Sequence, residues 1–204
     1  MLIKLYEEST NPRNLKRITE CLNDGGLVIY PTDTVYALGC SITSRSAIEK
    51  VARIKNVKPE KADFSFVFYD LSHISEYTKQ FDTRTFKLLK RNLPGPFTFI
   101  LEANNSIPKL FKNKKRTLGI RIPDNSICRS IVEHLGHPII STSIYDEDEV
   151  LEYTTDPELI YEKYQNKVDI VVDGGYGHNE ASTVVDLTSG EAEILRQGIG
   201  ELDD

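Results

Sequence analysis

Apolar residues recur at helical spacing after Asn11-Pro12, at Leu15, Ile18 and Leu22, until Gly25 and Gly26 break the pattern, which predicts a helix from about residue 12 to 24. LVIY at 27 to 30 is a continuous apolar run ended by Pro31, the mark of a buried strand that delivers Thr32, Asp33 and Thr34 to its end. Ala47, Ile48, Val51, Ala52 and Ile54 stripe a second helix over Ser46 to Lys55, and a Lys-rich loop over 55 to 63 leads to the aromatic strand FSFVFY at 64 to 69. Arg84 to Arg91 reads as a helix, and strands follow at 97 to 103, after the breaker Pro94-Gly95-Pro96, and at 117 to 123. Asp124 or Asn125 caps a helix through Ile127, Ile131, Val132 and Leu135, which Gly136 and Pro138 end before the strand PIISTS. Asp156-Pro157 opens a further helix to about Gln165, VDIVV at 168 to 172 runs as a strand into Asp173-Gly174-Gly175, and two last strands fall at 182 to 187 and 192 to 196. Helices alternating with apolar strands predict an α/β fold around a large sheet. No linker or repeat divides the 204 residues, which are read as one domain over 1 to 204.

Composition narrows the function classes. A hydrophobic fraction of 39% against 27% charged residues is that of a folded globular chain. MLIKLYEEST carries acidic residues where a secretory leader would need an apolar core, and no run of about 20 apolar residues occurs in the sequence, so a soluble, unexported protein is expected. Cys21, Cys40 and Cys128 are odd in number and lie far apart, which argues against a disulfide framework and predicts a reducing, cytoplasmic setting. The net charge of −6 opposes a surface that embraces nucleic acid throughout. Two local basic clusters remain, Lys50, Arg53, Lys55, Lys58 and Lys61, and Lys109, Lys112, Lys114, Lys115 and Arg116; solvated surface charge is the ordinary reading of each.

Common nucleotide signatures are missing: GxxxxGK[ST], GxGxxG and a nucleophile elbow do not occur, and the four histidines, at 73, 134, 137 and 178, lack metal-ligand spacing, so no metal site is predicted. Small hydroxyl and basic residues instead gather at the ends of predicted strands: Thr32, Thr34, Lys55, Thr117, Arg121, Ser141, Ser143, Ser182 and Arg196. Strand ends are where open α/β sheets bind ligands, although each of these residues singly is an ordinary cap or surface group. As an ordered series they lie in GGLVIYPTDTVYALGC at 25 to 40, LPGPFTFIL at 93 to 101, GIRIP at 119 to 123, STS at 141 to 143, DGG at 173 to 175, STVVDL at 182 to 187 and LRQG at 195 to 198. In these segments, over nearly its whole length, the chain resembles the YrdC-like family.

The resemblance implies a twisted mixed sheet with surrounding helices and a deep concave cleft. The well-understood members make threonylcarbamoyl-adenylate from L-threonine, bicarbonate and ATP, an intermediate for tRNA modification. By position, Thr32, Arg121 and Ser182 resemble the contacts to L-threonine, with the Arg121 guanidinium suited to a bidentate grip on its carboxylate. Lys55, Thr117, Ser141, Ser143 and Arg196 align with positions that hold the nucleotide and its phosphates. ATP is thus expected as substrate or ligand, with magnesium as its companion and no tightly bound cofactor.

Two departures separate this chain from the synthases. Their Lys-x-Arg pair reads Lys55-Asn56-Val57-Lys58 here, and their Ser-x-Asn reads Ser143-Ile144-Tyr145, followed by Asp146, Glu147, Asp148 and Glu149. These changes, with PEKADFSFVFYDLSHISEY at 59 to 77, resemble the YciO branch, for which the concave surface is credited with double-stranded RNA binding. Lys112, Lys114, Lys115 and Arg116 are the candidate RNA contacts. Three readings therefore stand: a nucleotide- and double-stranded-RNA-binding protein, an active threonylcarbamoyl-adenylate synthase, and a non-catalytic RNA- or ribosome-associated module.

Overall fold

A computed structural model describes residues 1–6, 11–59, 62, 64–107, 116–144 and 152–203. Its strands are β1 (Leu2–Lys4), β2 (Val28–Tyr30), β3 (Ala37–Ser41), β4 (Ser65–Val67), β5 (Phe97–Glu102), β6 (Thr117–Arg121), β7 (Ile139–Ser143), β8 (Ile170–Asp173), β9 (Thr183–Asp186) and β10 (Glu193–Arg196). They join in one mixed sheet in the order β1-β8-β2-β3-β7-β4-β6-β5-β9-β10. The helices are α1 (Pro12–Asn23), α2 (Arg45–Ile54), α3 (Thr83–Asn92), α4 (Ser126–Leu135), α5 (Glu152–Thr155) and α6 (Pro157–Tyr164). The expected α/β class and mixed sheet are thus present.

Helix ends follow the chemistry of the sequence. Asn11, Ser44, Asp82, Asn125 and Asp156 each accept a hydrogen bond from a backbone N–H in the first turn of α1, α2, α3, α4 and α6 respectively. Pro12 and Pro157 start their helices where a missing N–H costs nothing. The pattern-based bounds hold to within a few residues for these helices. Two strands went unforeseen. β1 holds only three residues and shows no period, and it pairs in parallel with β8 at the sheet edge. β3 reads ALGCS, whose glycine and small residues carry no strand propensity, yet it pairs antiparallel with both β2 and β7 and is buried throughout.

The two faces of the sheet are covered differently, and this creates the site. Strand residues alternate between faces. Leu27, Ile29, Leu38, Cys40, Phe66, Phe99, Leu101, Leu118, Ile120, Ile140, Val171 and Val185 fill one face, packed with Ala47, Ile48 and Val51 of α2, Leu89 of α3 and Ile160 of α6. On the other face the apolar cluster comprises Ile3, Val28, Tyr30, Ala37, Val67, Ile139, Ile170 and Val172 beneath Leu15, Ile18 and Leu22 of α1 and Ile127, Cys128 and Ile131 of α4. That cluster stops part-way across the sheet. Beyond it, the residues of β7, β4, β6 and β5 that alternate onto this face are mainly small and polar. Buried Cys40 and Cys128 have their thiols pushed up to about 12 by desolvation, as befits apolar packing groups.

Candidate functional site

The polar part of the sheet has a floor made of glycine, serine and threonine. Gly39 pairs with Ser141, Ser141 with Ser65, and Ser65 with Gly119, so one row across four strands carries nothing larger than a serine. Ser143 and Thr117 lie two residues along their strands from Ser141 and Gly119, on the same face. A Cβ at Gly119 would stand 3.1 Å from Thr98 Cγ2 and 3.6 Å from Ser65 Oγ, which leaves room for alanine but for little more. Ser141 is buried, and its Oγ accepts a hydrogen bond from Tyr30 Oη at 2.8 Å. Burial pushes the Tyr30 phenol far up, so it stays a donor.

Arg121 closes one end of β6. It is 7% exposed, and its Nη2 donates to Asp33 Oδ1 at 2.9 Å and to Thr34 Oγ1 at 3.0 Å. Its Nε is buried with no hydrogen-bond acceptor among the described residues. Asp33 also accepts from the Asp124 N–H through Oδ2 at 2.9 Å, so it ties the β2–β3 loop to the turn before α4. Burial raises the Asp33 carboxyl above its ordinary value, against the lowering pull of Arg121 and the Asp124 N–H. Thr32 is buried, and its Oγ1 donates to the Val35 carbonyl at 2.7 Å while accepting from the Thr34 N–H at 3.1 Å.

Ser182 and Arg196 meet at the far side of the floor. The Ser182 and Thr98 hydroxyls share a hydrogen bond of 2.8 Å, and Arg196 Nη2 donates to the Ser182 carbonyl at 2.8 Å. The segment after Arg196 lies directly on this strand: a Cβ at Gly198 would collide with the backbone of Ala181 and Ser182, and the Gly198 N–H donates to Thr183 Oγ1 at 3.0 Å.

Of the residues singled out from sequence, Ser141, Ser143 and Thr117 thus lie on the floor, Thr32 and Arg121 join through Thr34, and Ser182 joins Arg196. Lys55 caps the end of α2, whose apolar stripe packs on the opposite face of the sheet, and no hydrogen bond or ion pair among the described residues links it to the floor. Val57 is exposed in the turn that follows. Lys112, Lys114, Lys115 and Tyr145 lie outside the described residues. Arg116 is exposed, with a left-handed φ of 50°.

Sequence reasoning passed over Ser65, Thr98 and the role of Asp33. Ser65 sits inside an aromatic run, and only cross-strand register reveals that it faces Ser141 and Gly119. The sequence did place Asp33 at a strand end; its pairing with Arg121, 88 residues away, needed the fold.

The chain is thus a mixed α/β domain with one face of its sheet packed and the other left partly polar beside a buried arginine. The Sua5/YciO/YrdC family model, described as telomere recombination, matches residues 20–198, and the chain belongs to that family. It is 36% identical to the Escherichia coli (strain K12) protein YciO over 97% of this chain and 95% of that protein. The crystal structure of E. coli YciO superposes with a TM-score of 0.90 at 35% identity, covering 98% of this chain and 97% of that one. A threonylcarbamoyl-AMP synthase of Coxiella burnetii is 26% identical over 90% of this chain and 97% of its own length. The fold also matches P. abyssi Sua5 complexed with L-threonine, with a TM-score of 0.86 and 24% identity over 99% of this chain and 62% of that one. No helix among the described residues is long and apolar enough to cross a membrane.

One consequence can be checked at the floor alone. Gly119→Ala adds the one methyl group that the strand has room for and fills space above Ser65 and Thr98. The melting temperature should move by only a few degrees, about 1 kcal/mol for a domain of this size, while the ATP binding proposed below should weaken at least about tenfold. Thermal melts and calorimetric titration of the same sample read both.

Proposed function

We propose that the polar face of the sheet holds an adenine nucleotide beside L-threonine, and that the chain is a binding protein of the threonylcarbamoyl-adenylate synthase type with slow turnover. The observation that carries this is the joining of a row of small residues, Ser141-Ser65-Gly119, to a buried arginine whose Nε has no acceptor among the described residues. A flat, polar, small-residue surface admits a nucleotide closely, and a buried cation beside it meets an anionic group. In the synthase reaction the threonine amine captures bicarbonate or carbon dioxide as a carbamate, water leaving where bicarbonate is the source. A carbamate oxygen then attacks the α-phosphate of ATP and expels pyrophosphate. Such chemistry needs positioning and charge neutralisation more than an acid or base. Magnesium enters with the triphosphate, since it keeps water and phosphate ligands and takes few from protein. Slow turnover follows from Val57, an exposed aliphatic side chain where the synthases place an arginine.

The double-stranded-RNA reading depends on Lys112, Lys114, Lys115 and Arg116, of which Arg116 is described and exposed. Calorimetric titration with ATP and with L-threonine tests the proposal: saturable binding of each at millimolar concentration or below is expected. Absence of heat together with absence of thermal stabilisation by either ligand would refute it.

A further inference from the structure

The Arg121–Asp33 pair is buried on both sides, with side-chain exposures of 9% and 8%, and it is neutral as a unit. It is held from three directions: Arg121 by β6, Asp33 by the Asp124 N–H, and Arg121 again by Thr34, whose Oγ1 accepts from Arg121 Nη2 and whose carbonyl accepts from the His178 N–H at 3.1 Å. Both Nη2 hydrogens are committed, to Asp33 and to Thr34. An incoming carboxylate therefore cannot take the side-on Nε and Nη2 fork while Asp33 stays in place; it must use the remaining donors, among them the unpaired Nε.

That constraint has a chemical corollary. A carboxylate with no counter-charge would share one guanidinium with Asp33 and leave a net negative charge in a desolvated place, which is costly. A zwitterion would not. Its carboxylate faces Arg121, its ammonium faces Asp33, and the four charges sum to zero. Asp33 retains acceptor capacity for this, because an ionised carboxylate offers about four lone-pair sites and it receives hydrogen bonds from Arg121 and the Asp124 N–H.

Resting on the amino-acid reading of this same site, we infer that Asp33 is a specificity-determining residue that receives the α-ammonium group of the bound amino acid, so that the site selects zwitterionic α-amino acids over the corresponding simple carboxylates. Arg121 alone would accept either class. Asp33 supplies the discrimination, partly by attraction to the ammonium and partly by repelling an anion that lacks one.

The test compares L-threonine with 3-hydroxybutyrate, which keeps the carboxylate and hydroxyl and lacks the amine, by calorimetric titration of the full chain. Wild type should prefer L-threonine by about 10- to 100-fold, the range of one charge-assisted hydrogen bond. In Asp33→Asn the preference should shrink to about threefold or less, because the amide neither attracts the ammonium nor repels the anion. If Asp33→Asn does not fold, Asp33→Ser takes its place, which keeps Arg121 and a hydroxyl acceptor while removing the negative charge, and its preference should likewise collapse. Equal binding of the two ligands by wild type, or a preference that survives in whichever variant is folded, overturns the role of Asp33 while leaving amino-acid binding intact. Absence of binding by both ligands to wild type overturns the amino-acid reading itself, and the role of Asp33 with it.

Discussion

Arg121→Met should abolish L-threonine binding and destabilise the fold, and the two effects have separate causes. Methionine removes the cation, so an amino-acid carboxylate loses its counter-charge; affinity should drop by about 100-fold or more, the scale of a lost charged hydrogen bond at a desolvated site. The same change strands Asp33, whose side chain is 8% exposed and whose carboxyl already sits above its ordinary value through desolvation. Breaking one side of a buried ion pair typically costs about 3–5 kcal/mol. Chemical denaturation should show that loss at neutral pH. It should diminish as pH falls through the raised Asp33 value, because the protonated acid no longer needs a cation. Arg121→Lys keeps the charge but not the planar fork, and it should recover more stability than binding. Unchanged threonine affinity in a folded Arg121→Met protein would remove this arginine from the site.

The second large effect is a gain. Val57 lies 42% exposed in the turn after α2, where its N–H donates to the Ala52 carbonyl at 3.0 Å, so replacing its side chain disturbs no packed core. Combined with Tyr145→Asn, Val57→Arg restores both synthase-like positions. A preorganised charged donor is worth about 10²- to 10³-fold in rate where it meets developing charge, and two such donors need not add. Pyrophosphate release that requires both L-threonine and bicarbonate should rise by about that factor in the double variant. A wild-type rate already near 1 s⁻¹, within the ordinary enzyme range, would mean that Lys58 and Tyr145 are competent replacements.

Much of this arrangement was legible before any coordinates. Caps at Asn11, Asn125 and Asp156 and the stripes of α1, α2 and α4 are local chemistry, and local chemistry is what a sequence displays. β3 was hidden because its Gly39 and small neighbours were chosen by what lies against them, Tyr30 and Ile139, rather than by strand propensity. The hydroxyls of the site were visible as residues at strand ends, and their family resemblance gave them order. Which of them meet is a matter of register. Ser65 opposite Ser141 and Gly119 follows from pairing among β7, β4 and β6, which no local pattern encodes. The bidentate grip expected of Arg121 on a substrate carboxylate meets a guanidinium whose Nη2 is already engaged by Asp33 and Thr34. Lys55 caps the C-terminal end of α2, a position its place after the apolar stripe of that helix already suggested.

The central claim is that this face of the sheet takes a nucleotide and an amino acid side by side. Incubating the purified chain with ATP, magnesium, L-threonine and bicarbonate, and following threonylcarbamoyl-adenylate and pyrophosphate together, tests it most directly. The account predicts slow formation of both products in equal amounts, dependent on L-threonine and abolished by Arg121→Met. Pyrophosphate release that ignores L-threonine, or product formation that survives Arg121→Met in a folded protein, would contradict it.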